Sequence, residues 1–333
     1  MPWVDEFVEM LFPLDARKLN IEGAYLLKHA NLPTSIFKYR SVTESSLKNL
    51  QDGTVWLADP RSLNDPYDCA HFTDMNRMSQ DLWRNMPPQL AEKLPPDKFT
   101  PDVLLQLSNS ADPEGFLVDT LLSDKPAEHR EQIKEAMRGA MHALHEDMVR
   151  EYSENLKGAF KLCSFSERLD SSLMWSHYAN YHKGFCIEYD VRAFPPSDYR
   201  SRFLYPVIYT DSVYDATPHF MKGVEHDGFN NLHLNLAGLF KAIDWSYERE
   251  WRLLFANGVL NEAQAYPMGK PKAVYLGSHI PSGDQDQILD ICSTLRIPVR
   301  KMRHSTSKFL MEPCSIEDAD RRFVQGARHQ QDA

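Results

Sequence analysis

The sequence lacks long apolar runs and any cysteine pattern typical of a disulfide-rich or zinc-binding protein. No apolar stretch approaches the roughly 18 residues that a membrane-spanning helix needs, and no charged-then-apolar leader opens the chain. The five cysteines are an odd number and include no C-x-x-C pair, so neither a disulfide framework nor a zinc ribbon is indicated. We therefore expect a cytoplasmic protein with reduced thiols, no membrane association and no metal site.

An excess of positive charge is also absent. The formal net charge of -10 argues against a general nucleic-acid coat or a binder of anionic membranes, although it is compatible with a local basic cleft. The common catalytic signatures G-x-G-x-x-G after a strand, the P-loop, H-E-x-x-H and G-x-S-x-G are missing too. With 333 residues, of which 42% are hydrophobic, the chain can still bury a sizeable core.

Apolar patterns divide the chain into segments of different character and predict an α+β protein. Pro13 and Pro33 interrupt short helical patterns near the N terminus. A region with helical spacing of apolar residues ends in a long amphipathic helix that is predicted to begin at Pro126. We predict an N-terminal helical segment at residues 1–34 and an α+β core formed by residues 35–72 and 159–315. We also predict a helical insertion at residues 73–158 and a polar tail at residues 316–333.

The core segments carry the strand patterns. Apolar and aromatic runs predict strands at residues 36–40, 54–58, 160–166, 185–189, 205–209 and 273–277. Thr43 as N-cap and Gly53 as terminator predict a short helix between the first two strands. A further helix is expected at residues 285–295, whereas residues 211–229 have the pattern of a loop.

The segment from Asp244 to Phe255 is the most unusual part of the sequence. It follows a predicted helix with the apolar residues Leu232, Leu236, Phe240 and Ile243, and it is interpreted as a strand whose first half is charged and whose second half is apolar. Glu248 and Glu250, two residues apart on a strand, would project to one face, where like-charge proximity can hold them in different protonation states. The alternative interpretation is a solvated edge strand with weak surface ion pairs.

A second unusual segment precedes the strand at residues 185–189. It combines Trp175, His177 and Tyr178 in one or two helical turns ahead of Gly184. Such side chains cost hydrogen-bonding partners to bury unless they line a pocket, so they either cap the core or contact a ligand ring. Because the unusual segments all lie outside the helical insertion, we predict one site on the β core, with the insertion shaping access to it.

Four ordered stretches resemble the successive signatures of a bacterial family known as domain of unknown function twenty-nine seventy-one. They are Phe37-Lys38-Tyr39-Arg40-Ser41, Asn64-Asp65-Pro66-Tyr67-Asp68, Met174-Trp175-Ser176-His177-Tyr178 with Lys183-Gly184-Phe185-Cys186-Ile187-Glu188-Tyr189, and residues 245–254. The resemblance spans roughly residues 36–280. The family name carries no activity, so the resemblance implies a fold family and a shared site only.

The chain is also similar, more weakly, to the ADP-ribosyltransferase superfamily. This similarity implies a twisted, mostly antiparallel split β-sheet and NAD as a substrate. The matching positions are residues 38–40 on the first strand, residues 175–178 in the central motif, and Glu250 at the start of a late strand, with Glu248 completing an E-x-E motif. The sequence departs from the superfamily pattern because Lys38 stands where a histidine is usual and Arg249 separates the two acids.

The ADP-ribosyltransferase similarity implies a role for each candidate residue. Glu250 would hold a ribose hydroxyl and stabilise an oxocarbenium-like transition state, and Glu248 would orient or deprotonate the acceptor. Lys38 or Arg40 would pair with the pyrophosphate, and Trp175 or Tyr178 would stack on nicotinamide. The full set of candidate NAD-binding residues is Lys38, Tyr39, Arg40, Asn64, Asp65, Trp175, His177, Tyr178 and Arg252. Arg252 is equally well interpreted as the ion-pair partner of Asp65 or Asp68.

The leading functional prediction is an NAD-dependent ADP-ribosyltransferase-like enzyme or NAD glycohydrolase, acting as a bacterial toxin or in defence against phage. The acceptor, whether protein, nucleic acid or water, and the oligomeric state are left open by the sequence. A second hypothesis is a ligand-sensing or interaction module of the same fold without turnover. A third is a hydrolase or nuclease that uses Asp65, Asp68 and the E-x-E acids with a divalent metal.

Overall fold

The computed structural model describes residues 2–86, 91–222 and 226–319. Within these residues the strands are β1 Ile36–Arg40, β2 Thr54–Leu57, β3 His71–Phe72, β4 Phe160–Ser166, β5 Phe185–Tyr189, β6 Leu204–Pro206, β7 Ile208–Thr210, β8 Tyr214–Asp215, β9 Phe240–Ala242, β10 Glu250–Ala256, β11 Gln264–Pro267, β12 Ala273–Leu276, β13 Val299–His304 and β14 Met311–Cys314. Residues 320–333 of the predicted polar tail lie outside the described residues.

The α-helices are α1 Pro2–Leu11, α2 Ile21–Ala30, α3 Glu44–Asp52, α4 Met75–Arg84, α5 Pro101–Ser108, α6 Pro113–Leu121, α7 Ala127–Gly158, α8 Ser172–Tyr178, α9 Tyr199–Arg202, α10 Thr217–Lys222 and α11 Ser282–Leu295. Two 3-10 helices, Asn231–Gly238 and Ile243–Glu248, flank β9. In the described part of the chain, no helix combines the length and the apolar character needed to cross a membrane.

Eight strands form one sheet in the order β14-β13-β12-β5-β1-β4-β10-β6. All neighbours are antiparallel except β12 and β13, which are parallel because α11 connects them and returns the chain to the same end of the sheet. The predicted α+β class and mostly antiparallel sheet are confirmed. Strands β1 and β4 are in register at Phe37 and Ser166, and the predicted split of the sheet stays a prediction.

The sheet carries apolar cores on its two faces. On one face α3 and α11 bury Leu50 and Ile288, and on the other the N-terminal helices bury Phe7 and Phe12. Strand β10 lies between β4 and β6 and is buried on both faces, so Leu253 to Phe255 form a continuous apolar run. The start of β10 is therefore held by paired strands on both sides.

Local signals account for the first helix of the core. The Thr43 hydroxyl accepts from the Ser46 backbone N–H at 3.2 Å, and the Ser46 hydroxyl accepts from the Thr43 N–H at 2.9 Å, which completes a capping box. The helix ends at Gly53, whose φ of 64° is left-handed. Both ends of α3 agree with the prediction from sequence.

The sequence prediction is wrong for the segment before β10. Instead of one helix reaching Ile243, the chain forms the two 3-10 helices with β9 between them. Strand β9 pairs in parallel with β7, and this long-range pairing overrides the helical spacing of the apolar residues. Residues 211–229 were expected to be a loop, but they include β8 and α10.

Helices α4 to α7 occupy the region between β3 and β4 that the sequence marks as a helical insertion. Helix α7 packs on α6, and its C-terminal part contacts the 3-10 turn Pro60–Ser62 that follows β2. The division of the chain into an insertion and a core stays a prediction, while the helical character of residues 75–84, 101–108, 113–121 and 127–158 is confirmed.

Candidate functional site

A cavity of about 410 Å³ lies where β1, β4 and the start of β10 meet the loop after β2. Ligand sites for small molecules typically occupy about 300–1,000 Å³. The lining is mixed, with apolar, hydroxyl and charged side chains: Phe37, Lys38, Tyr39, Arg40, Ser41, Thr43, Ser45, Ser46, Trp56, Ala58, Leu63, Asn64, Asp68, Leu162, Cys163, Ser164, Phe165, Ser166, Met174, Tyr178, Lys241, Glu248 and Glu250. Its charged residues form two groups, which we call the acidic floor and the cationic wall.

The floor is a pair of carboxylates joined by one lysine. Lys241 Nζ lies 2.6 Å from Glu248 Oε2 and 2.8 Å from Glu250 Oε2. All three side chains are buried. A buried carboxylate pair is tolerated only with a compensating cation, and Lys241 on β9 supplies one to both acids.

The structure corrects the predicted arrangement of the two acids. Glu248 is the last residue of the 3-10 helix Ile243–Glu248, and only Glu250 belongs to β10. Between them Arg249 adopts a left-handed conformation with a φ of 45°, which breaks the strand geometry. The two carboxylates converge because both bind Lys241, and not because they alternate along one strand.

Arg252 extends the floor into the core. Its Nε lies 2.7 Å from Glu250 Oε1, its Nη2 lies 2.7 Å from Asp68 Oδ1, and its Nη1 donates to the Gly238 carbonyl at 2.8 Å. The side chain is fully buried and is not among the cavity-lining residues. Of the two interpretations of Arg252, the structure therefore shows the ion pair with Asp68. Asp65 lies off the cavity lining and accepts from the Tyr67 backbone N–H at 2.9 Å.

The two acids of the floor have different proton affinities. Burial opposes ionisation of Glu250, but Arg252 and Lys241 outweigh it and hold its pKa well below the usual range. Burial raises the pKa of Glu248, and Lys241 only partly offsets this effect. Separated proton affinities within one cleft are the arrangement by which enzymes divide acid–base roles between two carboxyl groups.

Two tyrosines hold the acids in place. Tyr178 on α8 donates its hydroxyl to Glu248 Oε1 at 2.7 Å, and burial raises the pKa of this phenol, so it stays a donor. The hydroxyl of Tyr209 on β7 accepts from the Glu250 backbone N–H at 2.8 Å. Helix α8 thus positions the carboxylate of Glu248, and β7 positions the backbone of Glu250.

Strand β1 supplies the cationic wall. Lys38 and Arg40 are half-buried and line the cavity, and Lys38 Nζ donates to the Ser164 carbonyl at 2.8 Å. Tyr39, between them, is buried and donates to the Arg168 carbonyl at 2.6 Å. Asn64 is exposed at the rim. Of the residues predicted near the pyrophosphate, both cations therefore face the cavity.

Two aromatic candidates lie outside the cavity lining. Trp175 is fully buried, packs edge-on against Tyr39 with ring centroids 5.2 Å apart, and donates its indole N–H to the Leu169 carbonyl at 2.8 Å. It caps the core, because its ring faces and its one donor are already used. His177 is exposed, with its ring 6.3 Å from those of Tyr178 and Trp245.

Sequence reasoning missed Lys241, Ser166 and Trp56 as cavity residues. Lys241 lies in a segment that the sequence predicts as part of a helix, among the apolar residues of that helix. Its role depends on the pairing of β9 with β7, for which the local sequence carries no signal. Along β2, exposed Trp56 alternates with buried Val55 and Leu57. This alternation could have identified Trp56 as a cavity residue.

A family model described as "Protein of unknown function (DUF2971)" matches residues 174–253. The match supports the resemblance to this family over that part of the chain, which includes Tyr178, Lys241 and both acids of the floor. No curated protein and no solved structure matches the chain.

Proposed function

We propose that the protein cleaves the N-glycosidic bond of NAD or a closely related nucleotide, as an ADP-ribosyltransferase-like enzyme or an NAD glycohydrolase. The observation that carries this proposal is the pair Glu248 and Glu250, held on one lysine at the floor of a cavity and differing in proton affinity. Many enzymes that cleave glycosidic bonds use paired carboxyl groups of unequal proton affinity.

The charge of the floor suits the transition state of this reaction. Asp68, Glu248 and Glu250 are balanced by two cations, so one negative charge remains in excess when Glu248 is ionised. Cleavage of the nicotinamide–ribose bond develops positive charge on the sugar. A buried, preorganised negative charge stabilises that state more than it stabilises the uncharged ribose of the bound substrate.

Each acid receives one role from its contacts. Both oxygens of Glu250 are held by cations, which makes Glu250 a fixed negative charge close to the sugar. Glu248 has the higher proton affinity and accepts the proton of the attacking hydroxyl or water. Lys38 and Arg40, which also line the cavity, suit the phosphates of the nucleotide, and Tyr178 replaces the buried Trp175 as the ring that contacts nicotinamide.

The proposal is tested by following NAD binding and nicotinamide release for the wild type and Glu250→Gln. Glu188→Gln is a matched control, because Glu188 is also buried, with Lys272 Nζ at 2.7 Å and the Tyr275 hydroxyl at 2.8 Å, but lies outside the cavity. We expect release by the wild type and by Glu188→Gln, and a loss of about 100-fold or more in Glu250→Gln. Release that survives in Glu250→Gln, or a wild type that neither binds nor cleaves NAD, overturns the proposal.

The same experiment separates the other two hypotheses. NAD binding of equal affinity in both proteins, without release, identifies a ligand-sensing module. A metal-dependent hydrolase needs carboxylate oxygens that can bind a cation, whereas the oxygens of Glu250 contact Lys241 and Arg252. Hydrolysis stimulated by magnesium would nevertheless identify such an enzyme. The acceptor and the role as a toxin or in defence against phage stay predictions.

A further inference from the structure

Glu248 and Glu250 share one cation but differ in their other partners. Glu250 also binds Arg252, with Nε at 2.7 Å from Oε1 and Nη2 at 3.3 Å from Oε2. Glu248 has Lys241 as its only cationic contact within the described residues, together with the neutral Tyr178 hydroxyl. Removing Lys241 would therefore deprive Glu248 of its cation while leaving Glu250 with Arg252.

We infer that Lys241 is a positioning residue that stabilises the ionised form of Glu248, the base of the pair, while Arg252 keeps Glu250 ionised. The geometric part of this inference stands by itself, and its catalytic meaning rests on the proposed function. A single ammonium with three donors can contact two carboxylates at once. Because its side chain is only 6% exposed, solvent screens these contacts weakly.

The surroundings of Lys241 support this role. The groups that act on its charge are Glu250, Glu248, Arg252 and Asp68, from β10, the preceding 3-10 helix and the loop after β2. The centroid of the Trp245 ring lies 5.1 Å from the Lys241 ammonium. Tyr247 is half-buried, and burial and the charge of Glu248 raise its pKa whereas the charge of Lys241 lowers it.

The strand pairing holds Lys241 and Glu250 in a fixed relationship. Lys241 on β9 is the register partner of Tyr209 on β7, and Tyr209 accepts from the backbone N–H of Glu250. Lys241 and Glu250 are thus positioned by one pair of strands. A rotation of Lys241 toward solvent would break its contacts with both acids, so the position of the cation beside Glu248 is built into the fold.

The consequence for the reaction is a specific pH dependence. If Glu248 accepts a proton from the attacking group, nicotinamide release increases with pH through the titration of Glu248. Without Lys241 the ionised form of Glu248 loses its only cation, and the increase moves to higher pH. An opposite charge at this distance typically accounts for about 1–3 pH units.

The experiment compares the wild type, Lys241→Met and the charge-preserving Lys241→Arg. The glutamate carboxyl groups are titrated by carbon-13 NMR without NAD, and the Glu248 and Glu250 signals are assigned with Glu248→Gln and Glu250→Gln. We expect the Glu248 midpoint to rise by about 1–3 pH units in Lys241→Met and to stay near the wild-type value in Lys241→Arg. The rising limb of nicotinamide release should move by the same amount.

The wild-type titration alone can overturn the inference, even if Lys241→Met does not fold. A Glu250 midpoint above that of Glu248 contradicts the assignment, and so does an unchanged Glu248 midpoint in a folded Lys241→Met protein. A wild type without nicotinamide release, but with the expected midpoints and their shift, overturns the proposed function and supports the role of Lys241. Nicotinamide release by the wild type, with a Glu248 midpoint that does not move in Lys241→Met, supports the proposed function and overturns the role of Lys241.

Discussion

Arg252 and Asp68, far apart in the sequence, form a buried ion pair in which Nη2 and Oδ1 are 2.7 Å apart. Arg252 is completely inaccessible and keeps Glu250 and the Gly238 carbonyl as partners, so the loss of the Asp68 charge weakens the contact of one charged donor in the core, where water cannot replace it. We predict that Asp68→Asn lowers the free energy of unfolding by about 3 kcal/mol, measured by urea denaturation at neutral pH.

The control for Asp68→Asn is Asp65→Asn in the same loop. Asp65 is only partly buried and its amide substitute can still accept from the Tyr67 N–H, so the expected change is below about 0.5 kcal/mol. Equal effects of the two substitutions would show that Asp68 and Arg252 do not depend on each other.

Tyr178→Phe removes the hydroxyl that donates to Glu248 and keeps the ring. The matched variant Tyr275→Phe removes a donor from buried Glu188, outside the cavity. Each change should cost about 1–2 kcal/mol of stability, because each deletes one hydrogen bond to a carboxylate. Only Tyr178→Phe should raise the titration midpoint of Glu248 in carbon-13 NMR, since its ionised form loses a donor. A midpoint that does not move contradicts the hydrogen bond.

Gly184→Ala tests the tight contact between the segment before β5 and the end of β1. A Cβ at Gly184 would stand 2.1 Å from the Arg40 carbonyl oxygen and 3.0 Å from that of Ala179. Both obstacles are backbone, so relief requires the strands to shift, at a cost of about 1–3 kcal/mol. Thermal or urea unfolding measures this cost.

Gly139 provides the opposite expectation. It lies inside α7, where a Cβ meets nothing within 4 Å, so Gly139→Ala should stabilise the protein by up to about 1 kcal/mol through helix propensity. If Gly184→Ala were as well tolerated as Gly139→Ala, the close approach of β1 and β5 at this point would be wrong.

His219 makes stability depend on acid pH. It is buried and stacked 5.5 Å from His233, and burial lowers its pKa from 6.5 to about 4. Between pH 6.5 and about pH 4, the His219 imidazole is therefore protonated in the unfolded chain and neutral in the folded protein. The free energy of unfolding should fall by up to about 1.4 kcal/mol per pH unit until pH 4.

The control for this pH dependence is His219→Phe, which removes the titrating group and keeps a ring beside Phe229. Urea denaturation between pH 7 and pH 4 should show a shallower decline for this variant than for the wild type. Parallel curves for the two proteins would assign the acid sensitivity to other groups.

Local structure was predictable where short-range contacts decide it. The strands at residues 36–40, 160–166 and 185–189 agree with their hydrophobic patterns, and α3 agrees with its cap residues. The patterns failed around β9, where pairing with β7 forms contacts that no helical spacing anticipates. The candidate acids were identified from their types and proximity, but on the incorrect assumption that one strand carried both.

The sequence by itself determined the α+β class, most of the core strands, and the identity of the two acids and the two cations on β1. Only the tertiary structure decided how these groups are paired. It buried Trp175 in the core, directed Arg252 to Asp68 and Glu250, and brought Lys241 between the two carboxylates. The physical reason is that hydrophobic periodicity reports which side of an element is buried, whereas the partner of a buried charge depends on contacts between segments distant in the chain.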